Sequence, residues 1–477
     1  MVKNSYLIAN PVHHYLTKRN DFIQRLSKWN LLRWSRFSFL ASVVWMNPLS
    51  IHAQQPTLSK NGSSGFAISS QISQQPTPES VQPKNSISKQ EDSLDKLSID
   101  YAIRLGKQNS PILKALRASV QSAQNSLTAI ERTNRTLLNS LSPDLPFRQE
   151  QARKGLQAAE AELFQAGHDV TYNIVRTYYA AVYAKQQLKV ADDLLVQLKI
   201  YQEFVEKIVK SGTDRKIDKK TEDTLIQYLA EAESKRNQAY FGLLRAIAGL
   251  QHELNLGGEN KISIPDQDLP LLRAKIDQKV VVEHALTRRG EIALAQSGVD
   301  VLNYETLAQG SIKLRLRLPT AASVADIHSR TVPSGSRDGE YRPDALVPDY
   351  PSFLIGTKSE RVARSVVLSE RAGAVLEKTR ELVRLEALNA YYRWQESVAN
   401  IEIWKKAANA GRDLTKRIRD ESENKFASES QLTAEGLAAQ SIAKYNEALY
   451  QHLLELAALE RATAGGLIVN YPGRQSD

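Results

Sequence analysis

The chain contains no cysteine. Disulfides and thiolate chemistry are therefore excluded, and so is a lipid-modified N-terminal cysteine. The absence is compatible with an oxidising compartment. Glycine and proline are sparse, 22 and 17 among 477 residues, and they gather in a few places. The long stretches without either favour long helices. Long apolar runs are missing as well. The best, Phe37 to Trp45, has about eight apolar residues, too few to cross ~30 Å of hydrocarbon.

Signatures of catalysis are equally scarce. There is no Gly-rich phosphate loop, no Gly-x-Ser-x-Gly and no His-Glu-x-x-His. The Glu-x-x-His pairs of di-iron helical bundles are absent too. Of the histidines, His13, His14 and His52 lie in the N-terminal leader. His168, His252, His284, His328 and His452 are scattered without paired metal spacing. His452 sits on an apolar stripe and reads as a packed residue. No enzyme activity, metal or cofactor is expected.

What is present is charge, a leader and long periodic segments. The net charge is +10 and the pI is near 9.4. Such a balance suits nucleic acid or anionic lipid, or simply a solvated surface with a basic leader. Lys216, Lys219 and Lys220 lack the groove or stacking geometry of a nucleic-acid site, so no nucleic-acid partner is expected. Lys18, Arg19, Arg25, Lys28, Arg33 and Arg36 precede the apolar run, and Ser50 to Ala53 offers a small residue for cleavage. Residues 1–53 read as a secretory signal. Residues 54–93 are rich in Ser, Gln, Pro and Lys and read as a disordered tether.

Periodic sequence starts near Leu94. From about Val170 to Lys210, the residues Ala191, Leu194, Leu198, Tyr201, Val205 and Ile208 step by three and four, a heptad seam. Ser211-Gly212-Thr213-Asp214 signals a turn. A return helix over about 219–256 carries Leu225, Leu229, Ala232, Ala239, Leu243, Ala246 and Leu250 in the same register, with Arg236 as an exception and Gly257-Gly258 at its end. Val190, Leu195, Phe204 and Val209 form a second apolar line. A helix with two seams wants neighbours on two sides, which points to an oligomer or a barrel of helices.

The plan then repeats. Val280, Ala285, Leu286 and Arg288-Arg289 mirror the opening at Ile99, Ala102, Ile103 and Arg104, and Tyr391-Tyr392 mirrors Tyr178-Tyr179. The aromatic pairs, with Trp394 and Trp404, read as core. Ile442, Tyr445, Leu449, His452, Leu456 and Leu459 again step by three and four. This duplication divides the chain into a first helical repeat at 94–258, a linker at 259–278, a second repeat at 279–468 and a tail at 469–477. Ile312 to Leu318 alternates with period two, and Ser352 to Ile355 could pair with it. That run fits an outer-membrane strand, an exposed hairpin or a helical end.

Several motifs resemble those of the TolC-like outer-membrane efflux proteins. They are the opening Leu97 to Ile103 with Asn109-Ser110-Pro111, Arg176-Thr177-Tyr178-Tyr179, Lys210-Ser211-Gly212 through Ile217-Asp218, and above all the closing Leu453 to Gly466. The resemblance spans about Leu97 to Leu467 and implies a mainly α fold of duplicated long antiparallel helical hairpins, a helical barrel when oligomeric. It also implies a homotrimer, a periplasmic adaptor, an inner-membrane pump and an outer-membrane location. The hairpin tips that would meet the adaptor are Lys210, Ser211, Gly212, Thr213 and Asp218, with Phe426, Ala427 and Ser428 in the second copy.

One departure bears on function. The family places two transmembrane strands between the first two helices of each repeat. Here repeat one offers only Ser140 to Pro146 at that place, too short for a strand of about 9–11 residues and its return. Two readings follow. One is a passive export duct working with an adaptor and pump. The other is a non-conducting periplasmic coiled-coil scaffold with a lost or truncated barrel.

Overall fold

Nothing in the sequence stops a helix between Leu145 and Ser211. Its one proline, Pro146, stands in the first turn, where a missing N–H costs nothing. A computed structural model of the chain makes this stretch one helix of 67 residues, about 100 Å long at ~1.5 Å per residue. The structure describes residues 96–134, 142–211, 219–257, 261–266, 268–312, 354, 356–421 and 429–472. Helix takes 86% of these, and no strand occurs among the described residues. The signal and tether expected at 1–53 and 54–93 lie outside them, as do Lys313 to Leu318. Ile312 is the C-terminal cap of a helix.

Eight helices are described: α1 Ile99–Asn109, α2 Pro111–Asn134, α3 Leu145–Ser211, α4 Lys219–Glu253, α5 Gln278–Arg288, α6 Gly290–Ser311, α7 Lys358–Glu421 and α8 Glu429–Ala462. They form two series of the same order: a short helix, a medium one, a long one and a return. Ser98 opens α1 by accepting a bond from the Tyr101 amide at 3.3 Å, and Asp277 opens α5 in the same way from Lys279 at 2.7 Å.

Helix starts fix the register between the two series. Ile99 corresponds to Gln278, so Val281 matches Ala102 and Ala285 matches Gly106. The pairing of Ala285 with Ala102 expected from sequence is one helical turn out. Val281 and Ala285 are buried, whereas Val280 is exposed. Two further expectations are corrected. The long helix begins at Leu145, not near Val170, because residues 145–169 follow a weaker stripe of Ala, Gly and Gln. The end of α4 is set by Asn255 at φ 50, with the Leu256 amide bonded to the Gln251 carbonyl at 3.0 Å, not by Gly257-Gly258.

The helices pack as an open layer with α3 as its hub. Toward the start of α3 the order is α2, α3, α6, α7; toward its end it is α4, α3, α8, α7. No extensive packing joins α2 or α4 to α7. The expected seam is real. Leu198, Tyr201, Val205, Leu225, Leu229, Ala232 and Leu432 form one buried cluster, and Arg236 meets Asp192 at 2.6 Å beside it. Across the middle of the layer runs the segment between α4 and α5. The Leu97 amide bonds to the Ser263 carbonyl, the Tyr178 hydroxyl donates to Asp266 at 2.7 Å, and His452 Nε2 reaches the Leu272 carbonyl at 2.8 Å.

At 1% exposure, Leu198 tests the seam. Leu198→Ala should cost about 2–5 kcal/mol, and Leu198→Asp more, since the carboxylate is desolvated as well. A denaturant melt followed by circular dichroism reads the difference. An unchanged midpoint for Leu198→Asp refutes the seam.

Candidate functional site

Three features stand out once the layer is assembled: the hairpin tips, the open edges, and a buried polar cluster at the opposite end from the tips. The helix ends that lead into the two tips lie side by side. Leu225 near the start of α4, Val205 near the end of α3 and Leu432 near the start of α8 share one cluster, which brings these helix ends together at one end of the layer. Lys210 is largely exposed and pairs loosely with Glu206 at 3.7 Å. Ser211 donates to the Ile208 carbonyl at 3.0 Å and closes α3. Gly212, Thr213 and Asp218, and Phe426, Ala427 and Ser428, lie outside the described residues. Just above the second turn, Arg419 and Glu435 bridge α7 and α8 at 3.0 Å.

The open edges carry apolar stripes. Along α7 the exposed side chains Val367, Leu385, Tyr392, Ile403 and Leu414 fall on one face, because their spacings are near multiples of ~3.6 residues. Along α4, Ile226, Tyr240 and Leu244 do the same, with Phe241 beside them. Tyr392, read from sequence as core by analogy with Tyr179, is 53% exposed, while Tyr179 is 1% exposed. The reason is position. Tyr179 faces the hub of the layer and packs on Tyr471, whereas Tyr392 stands on its rim and meets Gln278 at 3.3 Å. Stripes of this length on two unpaired edges are more than a monomer ordinarily leaves to water.

At the far end α3 begins in a buried ionic cluster. Asp144, Arg148, Gln151, Glu305 and Gln309 are all under one-tenth exposed. The Arg148 guanidinium bonds to Asp144 at 3.2 Å, to Gln151 at 3.0 Å and, as a fork, to both oxygens of Glu305. Gln309 bonds to Glu305 at 2.7 Å, and Arg361 at the start of α7 bonds to Gln309 at 2.7 Å. One cation thus serves two buried carboxylates, and three helices are tied together. Periodicity could not reveal this cluster, because its members are polar residues at core positions of two helices far apart in sequence.

Several residues of the closing motif have structural roles. Gly465 stands at φ +71, and its amide bonds to the Glu460 carbonyl at 2.9 Å, ending α8. A side chain there would also strike His168. Glu460 accepts from the Val469 amide at 3.1 Å, and Thr463 Oγ1 from the Leu467 amide at 3.2 Å. Arg461 and Arg289 share Glu386, at 2.8 Å and 3.0 Å. Gly290, at the start of α6, lies so close to α3 that a Cβ would fall 2.3 Å from the Ala161 carbonyl oxygen. His452 is buried as expected, with Nδ1 2.9 Å from Ser397. Among the described residues no cluster of His, Asp or Glu could hold a metal, and no helix is long and apolar enough to cross a membrane.

Long antiparallel helical hairpins packed as an open layer, with exposed apolar stripes along both of its edges, define the fold. Solved outer-membrane channels share this fold. The Neisseria gonorrhoeae MtrE outer membrane channel, in its open state, is 14% identical, covering 84% of this chain and 99% of that one with a TM-score of 0.59. The outer membrane protein VceC of Vibrio cholerae is 13% identical over 78% of this chain and 97% of that one, with a TM-score of 0.57. The Campylobacter jejuni CmeC outer membrane channel is 14% identical over 79% and 87%, at 0.54. The fold of this chain is therefore that of the TolC-like outer-membrane channels. No family model matches the sequence, and no curated protein does.

Two measurements check this geometry. Arg148→Met should remove the guanidinium that Asp144 and Glu305 share and cost about 3–5 kcal/mol. Glu305→Gln keeps the Arg148–Asp144 pair and should cost less, roughly 1–3 kcal/mol. Denaturant midpoints that reverse this order would show that Arg148 is not the shared cation. His168 gives a pH test. Burial, then the positive charge of Lys107, lowers its pKa from 6.5 to about 4, against a weaker pull from Glu460. The unfolded chain binds the proton first as pH falls, so His168 should make stability drop between pH 6.5 and 4. His168→Gln should flatten that part of the profile relative to the parent. An identical slope would place His168 in water.

Proposed function

We propose that copies of this chain close into a ring through their open edges, and that the ring is the helical tunnel of an efflux conduit at the outer membrane and periplasm. The observation that carries this reading is the pair of apolar stripes on α4 and α7, which belong to opposite edges of one layer. An edge that meets a different edge of the next copy makes a head-to-tail contact. Such contacts form rings when the rotation closes. The shared fold supports three copies, giving a passage lined by long helices, with no chemistry performed on what passes. Transport would draw its energy from an inner-membrane pump reached through a periplasmic adaptor.

The adaptor would dock at the tips. Lys210, Ser211, Gly212, Thr213 and Asp218 form its candidate site on the first hairpin, and Phe426, Ala427 and Ser428 on the second. The hairpin ends are the natural moving parts, since α3–α4 and α7–α8 are held mainly by seams along their lengths, with Arg419–Glu435 bridging α7 and α8 near the second turn. A second reading, a non-conducting periplasmic scaffold of the same fold, is favoured by the short connection between α2 and α3.

Ile403→Asp separates assembly from folding. Ile403 is 59% exposed, so the substitution should leave the melt of the monomer unchanged while native mass spectrometry shows the parent ring reduced to monomer. Gly212→Val should leave the ring intact and lower drug tolerance in cells that lack other efflux ducts. A parent protein that stays monomeric refutes the ring. A ring whose Gly212→Val form exports normally moves the docking site away from the tip.

A further inference from the structure

The two ends of the layer differ in a way that bears on how far the tunnel reaches. At the end opposite the tips, each protomer has two connections through which strands could enter a membrane: between α2 and α3, and between α6 and α7. The first is closed off. Ser142 to Asp144 already form the turn that starts α3, with the Leu145 amide bonded to the Ser142 carbonyl and the Phe147 amide to the Asp144 carbonyl, both at 3.0 Å. Only residues 135–141 remain, fewer than the ~9–11 that one tilted strand needs, and a crossing needs a return. Arg148 then locks this elbow to α6 through Asp144 and Glu305. The second connection, residues 312–357, holds enough chain for two strands.

We propose that this polar elbow stands where a strand pair would leave the first repeat, so that each copy supplies at most one hairpin and a three-copy ring is a helical tunnel without a membrane-spanning duct of its own. The inference rests on the ring proposed above. Three hairpins give roughly six strands, and a closed barrel of about eight already has an interior just filled by side chains. A passage for cargo needs more strands than these copies contain. The ring would therefore hand its cargo to a separate outer-membrane pore, or open onto the periplasmic face of the membrane.

The test uses the purified full chain reconstituted into phosphatidylethanolamine–phosphatidylglycerol vesicles loaded with a small fluorescent dye, with a porin as the positive control. Native mass spectrometry of the same sample gives the number of copies. The expected result is a three-copy ring that holds the dye at the level of protein-free vesicles while the porin empties them. A three-copy ring that releases the dye overturns this inference and leaves the ring standing. A protein that is monomeric, or a ring of six copies, removes the strand limit and overturns both the count and the inference.

Discussion

Everything in this molecule hangs on the apolar seam of α3. A helix of 67 residues has no reason to persist alone in water; propensity adds little, and most helical stability comes from packing one face on a neighbour. Here the neighbours change along the length. The first half of α3 lies on α2 and α6, the second on α4 and α8, and Tyr178, Tyr179 and Ile174 are buried at the crossover. Because one rod serves both halves, the two hairpins cannot slide independently without breaking that central packing. The segment between α4 and α5 reinforces the same zone. Burial and the Asp266 carboxylate both hold the Tyr178 phenol far above its usual pKa, so the Tyr178–Asp266 bond keeps its proton across the physiological range.

Polar networks appear where the seam gives out. At the start of α3 the Arg148 cluster replaces apolar packing, and at the end of α8 Arg461, Arg289 and Glu386 do so. Burial pulls the Arg289 pKa down, and Glu291 and Glu386 more than reverse that. Buried ion pairs of this kind are weak evidence of stability, since their desolvation is costly. Their value lies in geometry: a guanidinium forked onto one carboxylate fixes both rotation and height of the helices it joins. Helices that meet mainly through Ala, Gly and Gln need such fixing, as between α3 and α6, where Gly290 touches Ala161.

What the sequence made legible follows the same division. Ala191, Leu198, Val205, Leu225 and Leu250 could be placed from spacing alone, because each lies on a continuous stripe and all are buried. The return helices and the closing motif were equally visible. Residues 145–169 were not, because close helix packing there uses small and polar residues that carry no hydrophobic period. The stop at Asn255 was missed because Gly257-Gly258 is the stronger textual signal, while Asn takes the left-handed position at modest cost. Tyr392 was misplaced because a duplicated sequence need not have duplicated surroundings: its counterpart sits at a hub and it sits at an edge.

That last difference explains how one repeated sequence plan builds an open layer. If the two repeats were equivalent in packing, each long helix would have the same neighbours, and the layer would have no distinct ends. Instead α3 is covered on both sides and α7 on one, since α7 follows α6 and α8 but meets neither α2 nor α4 extensively. The residues that would have been buried on its second side, from Val367 to Leu414, remain as a stripe of exposed apolar side chains. The layer thus has one unmatched edge on each side, α4 and α7, and the two edges differ in sequence. Those unlike edges are what the proposed ring would pair, since a contact between two different patches runs head to tail and can close on itself.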